Sequence, residues 1–402
     1  MKKKDKSSLL TFSAATAICL MGDSFLYIAL PLYYKEVGLS ALWQVGLLLA
    51  LNRLIRIPLN PYISKLYHRL PVKTGMLVAI GLAALVTLGY SFAGTFLVWC
   101  LLRMIWGVSW SFLRIGGLLA LVDLSEFSNH GQWVGLYNGI VRLGSFFGMA
   151  GGGVLVWLIG FHLTSLIFGG VMVLAFFVMI FTKVSARTQE AGVKPILMSP
   201  TKLQGDLGFY VIAGFTIALL SQGIFTASFS YLMAYHYGGE LMLFDTLVEI
   251  AAIAGTIQAI RWLWEPFVAV AAGRSMDRSA GSAPSILPTV FVTALTGVML
   301  LVSAPIIIWV LCALVYMLGF SWLTTIMDVR AASVKKSVAH SFIGVYTMWS
   351  DVGAAIGPII VFLAFSIDGG IYGIFILKAL ILLWLGFKWH SHEKRDRALI
   401  AS

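Results

Sequence analysis

Among the charged side chains that interrupt stretches otherwise apolar are Asp23, Arg53, Arg56, Arg103, Arg114, Arg142, Arg261, Glu265 and Asp351. A charge held at mid-membrane depth is costly unless it faces protein or water. The chemistry open to such a set is ion pairing, proton exchange and capture of a charged solute. Asp23 is the candidate proton carrier, one helical turn before Tyr27. A carboxylate in a low-dielectric setting can load and release a proton near neutral pH. An arginine cannot, because it keeps its proton in proteins. The plainer alternative is that Asp23 pairs with an arginine, Arg103 or Arg114. Both roles are compatible, since proton uptake by Asp23 would free that arginine.

The spacing of the other charges gives direction. Arg53, Arg56 and Asn60 recur at i, i+3 and i+7, on one helix face. Arg103, Gly107, Trp110 and Arg114 recur at i, i+4, i+7 and i+11, again on one face. Both stripes are expected to look inward. Trp110 shares the arginine face and is the cavity candidate, whereas Trp106 reads as packing. A stretch of unusual composition, GLYNGIVRLGSFFGMAGGG (135–153), places Gly144, Gly148 and Gly152 four residues apart. Such a stripe makes a smooth seam for another helix. Arg142 lies about 200° around the helix from Gly144, so it points away from the seam, with Asn138 and Ser145 on its side.

The elements that carry these residues are membrane helices. Of 402 residues, 59% are hydrophobic and 11% charged, against about a quarter charged in a soluble domain. Twelve apolar runs are long enough to cross a bilayer, at about 9–34, 41–67, 73–93, 95–122, 133–160, 162–183, 207–236, 246–273, 285–303, 305–329, 339–366 and 370–389. The run after MKKKDK is too long for a signal peptide and contains Asp23, so it reads as an uncleaved first span. The polar stretch 184–206 divides the chain into an N-terminal bundle, 1–183, and a C-terminal bundle, 207–402, with a short basic tail. The formal charge of +11 sits mostly in connections on one side, which predicts that both termini are cytoplasmic. That distribution speaks against nucleic acid. Cys19, Cys100 and Cys312 fall inside apolar runs and read as membrane-buried thiols rather than as a disulfide or metal site.

The two halves repeat. VWCLLRMIWGVSW (98–110) matches VLCALVYMLGFSW (310–322), and GLYNGIVRLGSFFG (135–148) matches GVYTMWSDVGAAIG (344–357). Asp23 falls opposite Gln222. Two parallel six-helix repeats imply a pseudo-twofold axis along the membrane normal and a site between the halves.

With those repeats, the chain resembles the major facilitator superfamily over all twelve spans. GRSMDRSAG (273–281) resembles the family's cytoplasmic-loop signature, Gly-x-x-x-Asp-Arg, through Asp277 and Arg278. RMIWG (103–107) resembles the Arg-x-x-x-Gly pattern of proton-coupled members. GSFFGMAGG (144–152) resembles the glycine motif of exporters, with Met149 in place of its proline; the span 2–3 loop, SKLYHR (64–69), has Ser64 and His68 where the signature has glycine and aspartate. The resemblance implies a twelve-helix drug:proton antiporter, working by alternating access, without cofactor, as a monomer in a bacterial inner membrane. Its partners would be protons, lipid and a small-molecule substrate. The family fold sets span 5 beside span 8 and span 2 beside span 11. That arrangement implies pairs Arg142–Glu265 and Asp351 with Arg53 or Arg56, latching the halves, with Asp277, Arg278 and the glycine seam as further gating elements.

Six arginines against three acids in the mid-span set favour an anionic or zwitterionic organic substrate. Tyr27, Arg53, Arg56, Trp110, Arg114, Asn138, Arg142, Gln222 and Arg261 are its expected contacts. Polyspecific multidrug efflux and import of an organic anion are the alternatives on the same fold. An enzyme is disfavoured, since the sequence shows no Walker loop, no HExxH and no paired Cys/His ligands. HSHEK (390–394) reads as a solvated basic tail. A channel would not need the two-repeat plan, and a membrane-embedded receptor would be separated by counterflow in proteoliposomes.

Overall fold

The structure, a computed structural model, describes residues 3–124, 130–182, 206–243, 245–278, 286–332 and 336–401. Of the expected linker 184–206, residues 184–205 lie outside the described residues, and Asp206 already begins the next helix. Nine helical stretches there are long and apolar enough to cross a membrane. One of them, within α7 (His130–Phe181), is two spans joined at Gly160, whose φ of 79° no ordinary helical residue adopts. The remaining helices are α10 (Ile250–Arg278), interrupted by charges, and the short α11 (Leu287–Met299). The polarity is inverted relative to a soluble protein. Leu158, Phe177, Phe181 and Ile307 are exposed, whereas Arg103, Thr164, Ser165 and Ser228 are fully buried. Several buried hydroxyls are satisfied by backbone: Ser13, Thr16 and Ser165 donate to the carbonyl four residues back, and Ser109 donates across to the Ala79 carbonyl.

The first two spans are each bent, for a reason visible in sequence. Span 1 comprises α1 (Lys3–Ser24) and α2 (Leu26–Tyr33). Pro31 inside α2 cannot donate to the Tyr27 carbonyl, which weakens the ladder just beyond Asp23. Span 2 comprises α3 (Leu42–Leu54) and α4 (Arg56–Tyr67), and Pro58 removes the bond to Leu54 at that break. The bend therefore falls between Arg53 and Arg56.

By contacts the chain divides into two compact units, Met1–Pro195 with Ser228–Trp262, and Ile196–Ala227 with Leu263–Ser402. Residues 228–262, which the repeat assigns to the second half, thus cluster with the first. In the first unit α5 (Val72–Tyr90) packs on α6 (Phe96–Leu124) and α7, and α1 packs along α7. Gly38, at φ 81°, abuts the backbone of Gly94 and closes the loops between spans 1–2 and 3–4. One element departs from the all-helical expectation. A two-stranded hairpin, β1 (Glu240–Leu243) and β2 (Thr246–Glu249), lies between α9 (Ala227–Tyr237) and α10, in register Glu240↔Glu249 and Leu243↔Thr246.

In the second unit α8 (Asp206–Ala218) runs into a π-helical segment, Leu219–Thr226, and both pack on α13 (Lys336–Phe365). α12 (Ile306–Ala332) and α14 (Gly370–Ala401) flank α11. The repeat reappears in the packing. Gly144 lies against the Ala17 backbone and Gly148 against Met21 and Ser24; their sequence counterparts Gly353 and Gly357 lie against Phe215 with Leu219, and against Gly223. In each half, then, the fifth span is seated on the first through the same two glycines. Trp99 donates its indole N–H to the carbonyls of Val37 and Ala93, and Trp309 donates to that of Leu300. Each tryptophan ties the start of its span to the loop before it.

Candidate functional site: a buried carboxylate–guanidinium cluster

Asp23 and Arg103 are brought together. Arg103 is fully buried and Asp23 nearly so. The guanidinium Nη1 donates to Asp23 Oδ1 at 2.6 Å and to Tyr90 Oη at 3.2 Å, while Nε donates to the Leu48 carbonyl at 2.9 Å. Asn52 Nδ2 donates to the same Asp23 oxygen at 3.3 Å. Four spans supply this cluster: Asp23 from α1, Leu48 and Asn52 from α3, Tyr90 from α5 and Arg103 from α6. Gly22 lets α5 approach beside Asp23, since a Cβ there would collide with Thr87 and Met172. Tyr90 is fixed by stacking on Trp99, with ring centroids 4.9 Å apart and planes 12° apart. Asn52 Oδ1 and Arg103 Nη2 are buried with no protein hydrogen-bond partner among the described residues. The cluster therefore keeps one acceptor and one donor for a water or a solute.

Of the two arginines weighed for Asp23, Arg103 is the partner, and Arg114 is exposed. Tyr27 accepts from Arg53 Nε and Nη2, both at 3.4 Å. Arg56 is buried, Arg53 is half-buried, and each sits on its side of the span 2 bend. Gly107 is pressed onto Asn52 and Ile55, which lays the arginine face of span 4 on span 2. Trp106 is buried and Trp110 half-buried, with ring centroids 6.4 Å apart. Asn138 is exposed; Arg142, Gln222, Arg261, Glu265 and Asp351 are half-buried. Arg53, Arg56 and Arg142 belong to the first unit, and Glu265 and Asp351 to the second. Asp277 and Arg278 end α10, and their side chains lie outside the described residues.

The glycine seam is corrected. Gly144, Gly148 and Gly152 face Ala17, Met21 with Ser24, and Phe25, all on span 1 of the same bundle. They do not meet span 8 and so cannot form a hinge surface against it. Both ridges step by four residues, which is why they interlock. The face turned to α10 is one position round: Gly153 lies on Ala251 and Ala252, and Gly255 on Met149. Ser145 is buried and accepts from Ser24 at 3.3 Å.

Sequence reasoning missed three contributors. Asn52 adjoins Arg53 and is a mid-span amide, a signal that was there to be weighed. Tyr90 closes span 3, where depth alone gives no hint of a role. Lys378 stands eight residues beyond the start of α14, so the depth rule applied to the arginines should have caught it. It is buried to 2% exposure among aromatic rings.

The family model of the Major Facilitator Superfamily matches residues 12–358. The chain belongs to that superfamily. Among solved structures, a bacterial homolog to the human lysosomal transporter Spinster, inward-facing and occupied, superposes with a TM-score of 0.80 at 12% identity, over 98% of each chain. Its unoccupied form gives 0.78 over the same share, also at 12% identity. The nucleoside transporter NupG gives 0.72 at 13% identity, over 96% of this chain and 98% of that one. No curated protein matches. At these identities the likeness is one of fold. This facilitator-superfamily chain is therefore a multi-pass membrane transporter, not an enzyme, and its substrate has to be argued from its own residues.

Proposed function

We propose that the chain is a proton-coupled secondary transporter of a small organic anion or zwitterion, moving it by alternating access between the bundles 1–183 and 207–402. Both termini are cytoplasmic in this reading, the membrane is a bacterial inner membrane, and the monomer is the working unit. The observation that carries it is the Asp23–Arg103 contact at 2.6 Å, buried and supported by Asn52 and Tyr90. Protonation of Asp23 removes the counter-charge of a guanidinium that stays charged. The unsatisfied cation then favours an anionic group in its place. Arg53, Arg56 and Tyr27 supply further donors. Trp110, Arg114, Asn138, Arg142, Gln222 and Arg261 are the remaining proposed contacts. Arg142–Glu265, Asp351 with Arg53 or Arg56, and Asp277 with Arg278 are proposed to latch the bundles in one state.

Export rests only on the resemblance of the span 5 glycine motif, in which Met149 replaces the proline, to that of exporters. The contact at Asp23 favours a second reading. An anion that binds Arg103 only once Asp23 is protonated travels with the proton, which is symport and hence import down an inward proton gradient. Antiport requires the substrate to compete with the proton for Asp23, as the amine of a zwitterion or an organic cation would. The test is transport in proteoliposomes with an imposed pH gradient, wild type against Asp23→Asn. The expected result is that Asp23→Asn keeps substrate counterflow and loses gradient-driven accumulation. Accumulation by Asp23→Asn that still follows the gradient removes the coupling role. The sign of the gradient that loads wild-type vesicles separates export from import.

A further inference from the structure

Lys378 of α14 is enclosed within the second unit by three rings. Its Nζ stands 3.5 Å from the centroid of Phe375, 4.6 Å from that of Tyr316 and 5.4 Å from that of Phe225. It has no hydrogen-bond partner among the described residues, and neither has the Tyr316 hydroxyl. A lysine head group, with two N–H donors as the amine and three as the ammonium, is expensive to leave at 2% exposure with ring faces alone. Ring faces attract an ammonium but do not replace water or a carboxylate around it.

The titratable surroundings are sparse. Tyr316 is the one such group whose ring faces the amine. α11 and the π-helical segment carry no charged side chain. On α12, Cys312 is a turn from Tyr316, and Asp328 and Arg330 are about 18 Å or more along the axis. Asp328 is already an acceptor for Tyr346 of α13 at 2.7 Å. Asp351 of α13 lies two residues before Gly353, which packs on Phe215 and Leu219. That puts it about 15 Å along span 7 from Phe225. Asp206 and Tyr210 on α8 are further still, and on α14 Lys388 is nearly three turns away and His390 more than three.

One wall of the cage is built on an uncommon element. Phe225 belongs to the π-helical segment Leu219–Thr226, in which the Thr226 hydroxyl reaches back five residues to the Ser221 carbonyl. Such segments are rare and recur at functional sites. Conversion of one π turn to α-helix shifts register by a residue and rotates the downstream residues by about 100°. That movement withdraws Phe225 from Lys378 and from Tyr316, whose ring centroid is 4.4 Å away. Gln222 lies on the same segment, opposite Asp23 in the repeat.

We propose that Lys378 is a proton-linked positioning residue: addition of a proton from water to its amine accompanies withdrawal of Phe225 from the cage, and the π-helical segment carries that movement to Gln222. The proposal rests on Gln222 lining the pathway in the reading above. Its primary test does not involve transport. Amide hydrogen-exchange protection factors, which already normalise for intrinsic rates, are measured for 219–226 in lipid nanodiscs between pH 6 and pH 9. Wild type is expected to lose about tenfold protection at the acid end. Lys378→Met, which fits the cage without a charge, is expected to be protected at every pH. Phe225→Ala is expected to be open at every pH. Unchanged pH dependence in Lys378→Met, or none in wild type, overturns the proposal. Substrate counterflow is then compared across the same pH range, where Lys378→Met flattens the profile. If Asp23→Asn still accumulates substrate while the exchange pattern holds, the coupling reading fails and the Lys378 inference stands.

Discussion

The Asp23–Arg103 contact makes a quantitative demand on stability that can be checked without knowing the substrate. Replacing Asp23 by Asn keeps an oxygen where Oδ1 stands and removes the charge. Arg103 then retains the Leu48 carbonyl at 2.9 Å and the Tyr90 hydroxyl at 3.2 Å, with no carboxylate. Breaking one side of a buried ion pair costs about 3–5 kcal/mol, because the partner is left charged and uncompensated. Arg103→Gln strands Asp23 with only Asn52 and is expected to cost a similar amount. The double variant Asp23→Asn/Arg103→Gln buries no charge at all. Its loss is therefore expected to fall short of the sum of the singles by about 2–3 kcal/mol, near the upper end for contacting residues. Unfolding in mixed micelles with rising SDS gives the three differences from one transition. The coupling should also resist salt, since Arg103 has no exposed surface and buried pairs are weakly screened. Additivity within about 0.5 kcal/mol, or a coupling that disappears in 0.5 M salt, would refute the argument and with it the claim that Asp23 balances Arg103.

The glycines of span 5 separate into two kinds. Gly148→Leu is expected to abolish correct folding or transport, because its side chain would enter Met21 and Ser24, whereas Gly139→Ala and Gly151→Ala, with nothing within 4 Å of the new Cβ, should be tolerated and add up to about 1 kcal/mol of helix stability each; thermal unfolding of the purified variants decides this. Lys73 Nζ donates to the carbonyls of Ile180 at 2.8 Å and Thr182 at 2.7 Å, capping the C-terminal end of span 6. Lys73→Ala should therefore cost about 0.5–1 kcal/mol without changing substrate affinity.

How much of this was legible in sequence depends on the kind of interaction. Apolar run length and charge-bearing connections gave the spans, because bilayer thickness acts on each run separately. The break at Ile55 had a local signal in Pro58, whose missing N–H removes the bond to Leu54. The Asp23–Arg103 pair was within reach because few groups at that depth could answer a carboxylate; the choice between Arg103 and Arg114 needed the packing of Gly107 on span 2. Which helix the glycine seam meets was not legible. Gly144, Gly148 and Gly152 on one side and Met149 with Gly153 on the other are both small-residue stripes at four-residue spacing, and sequence alone does not say which neighbour takes which. The hairpin at 240–249 escaped for a different reason. Its strands are short and its turn rests on Asp245 at φ 62°, a conformation that composition does not announce.

The corrected seam changes what the glycines are for. Bundles that rock against each other as bodies must hold their shape while they do so. The residues that pack closest should then lie inside each bundle, where nothing slides. That is where Gly144 and Gly148 are found, backbone to backbone against span 1, and where Gly353 and Gly357 are found against span 7. The same close approach at matched positions of the two halves argues that the approach itself is what the repeat preserves. Small residues serve this purpose in lipid because packing, rather than water exclusion, holds membrane helices together. The surface α7 turns to α10, Met149 and Gly153 against Ala251, Ala252 and Gly255, has the same economy of side chain. It lacks an interlocking run of three glycines, and it carries Met149, a flexible side chain that can repack, where the exporter motif has a rigid proline. In the proposed alternating-access cycle, a contact that forms and releases would be better served by that composition than by the seam. The exporter-like glycine pattern therefore reads as a rule for building one bundle, and the direction of transport has to be sought in the chemistry at Asp23.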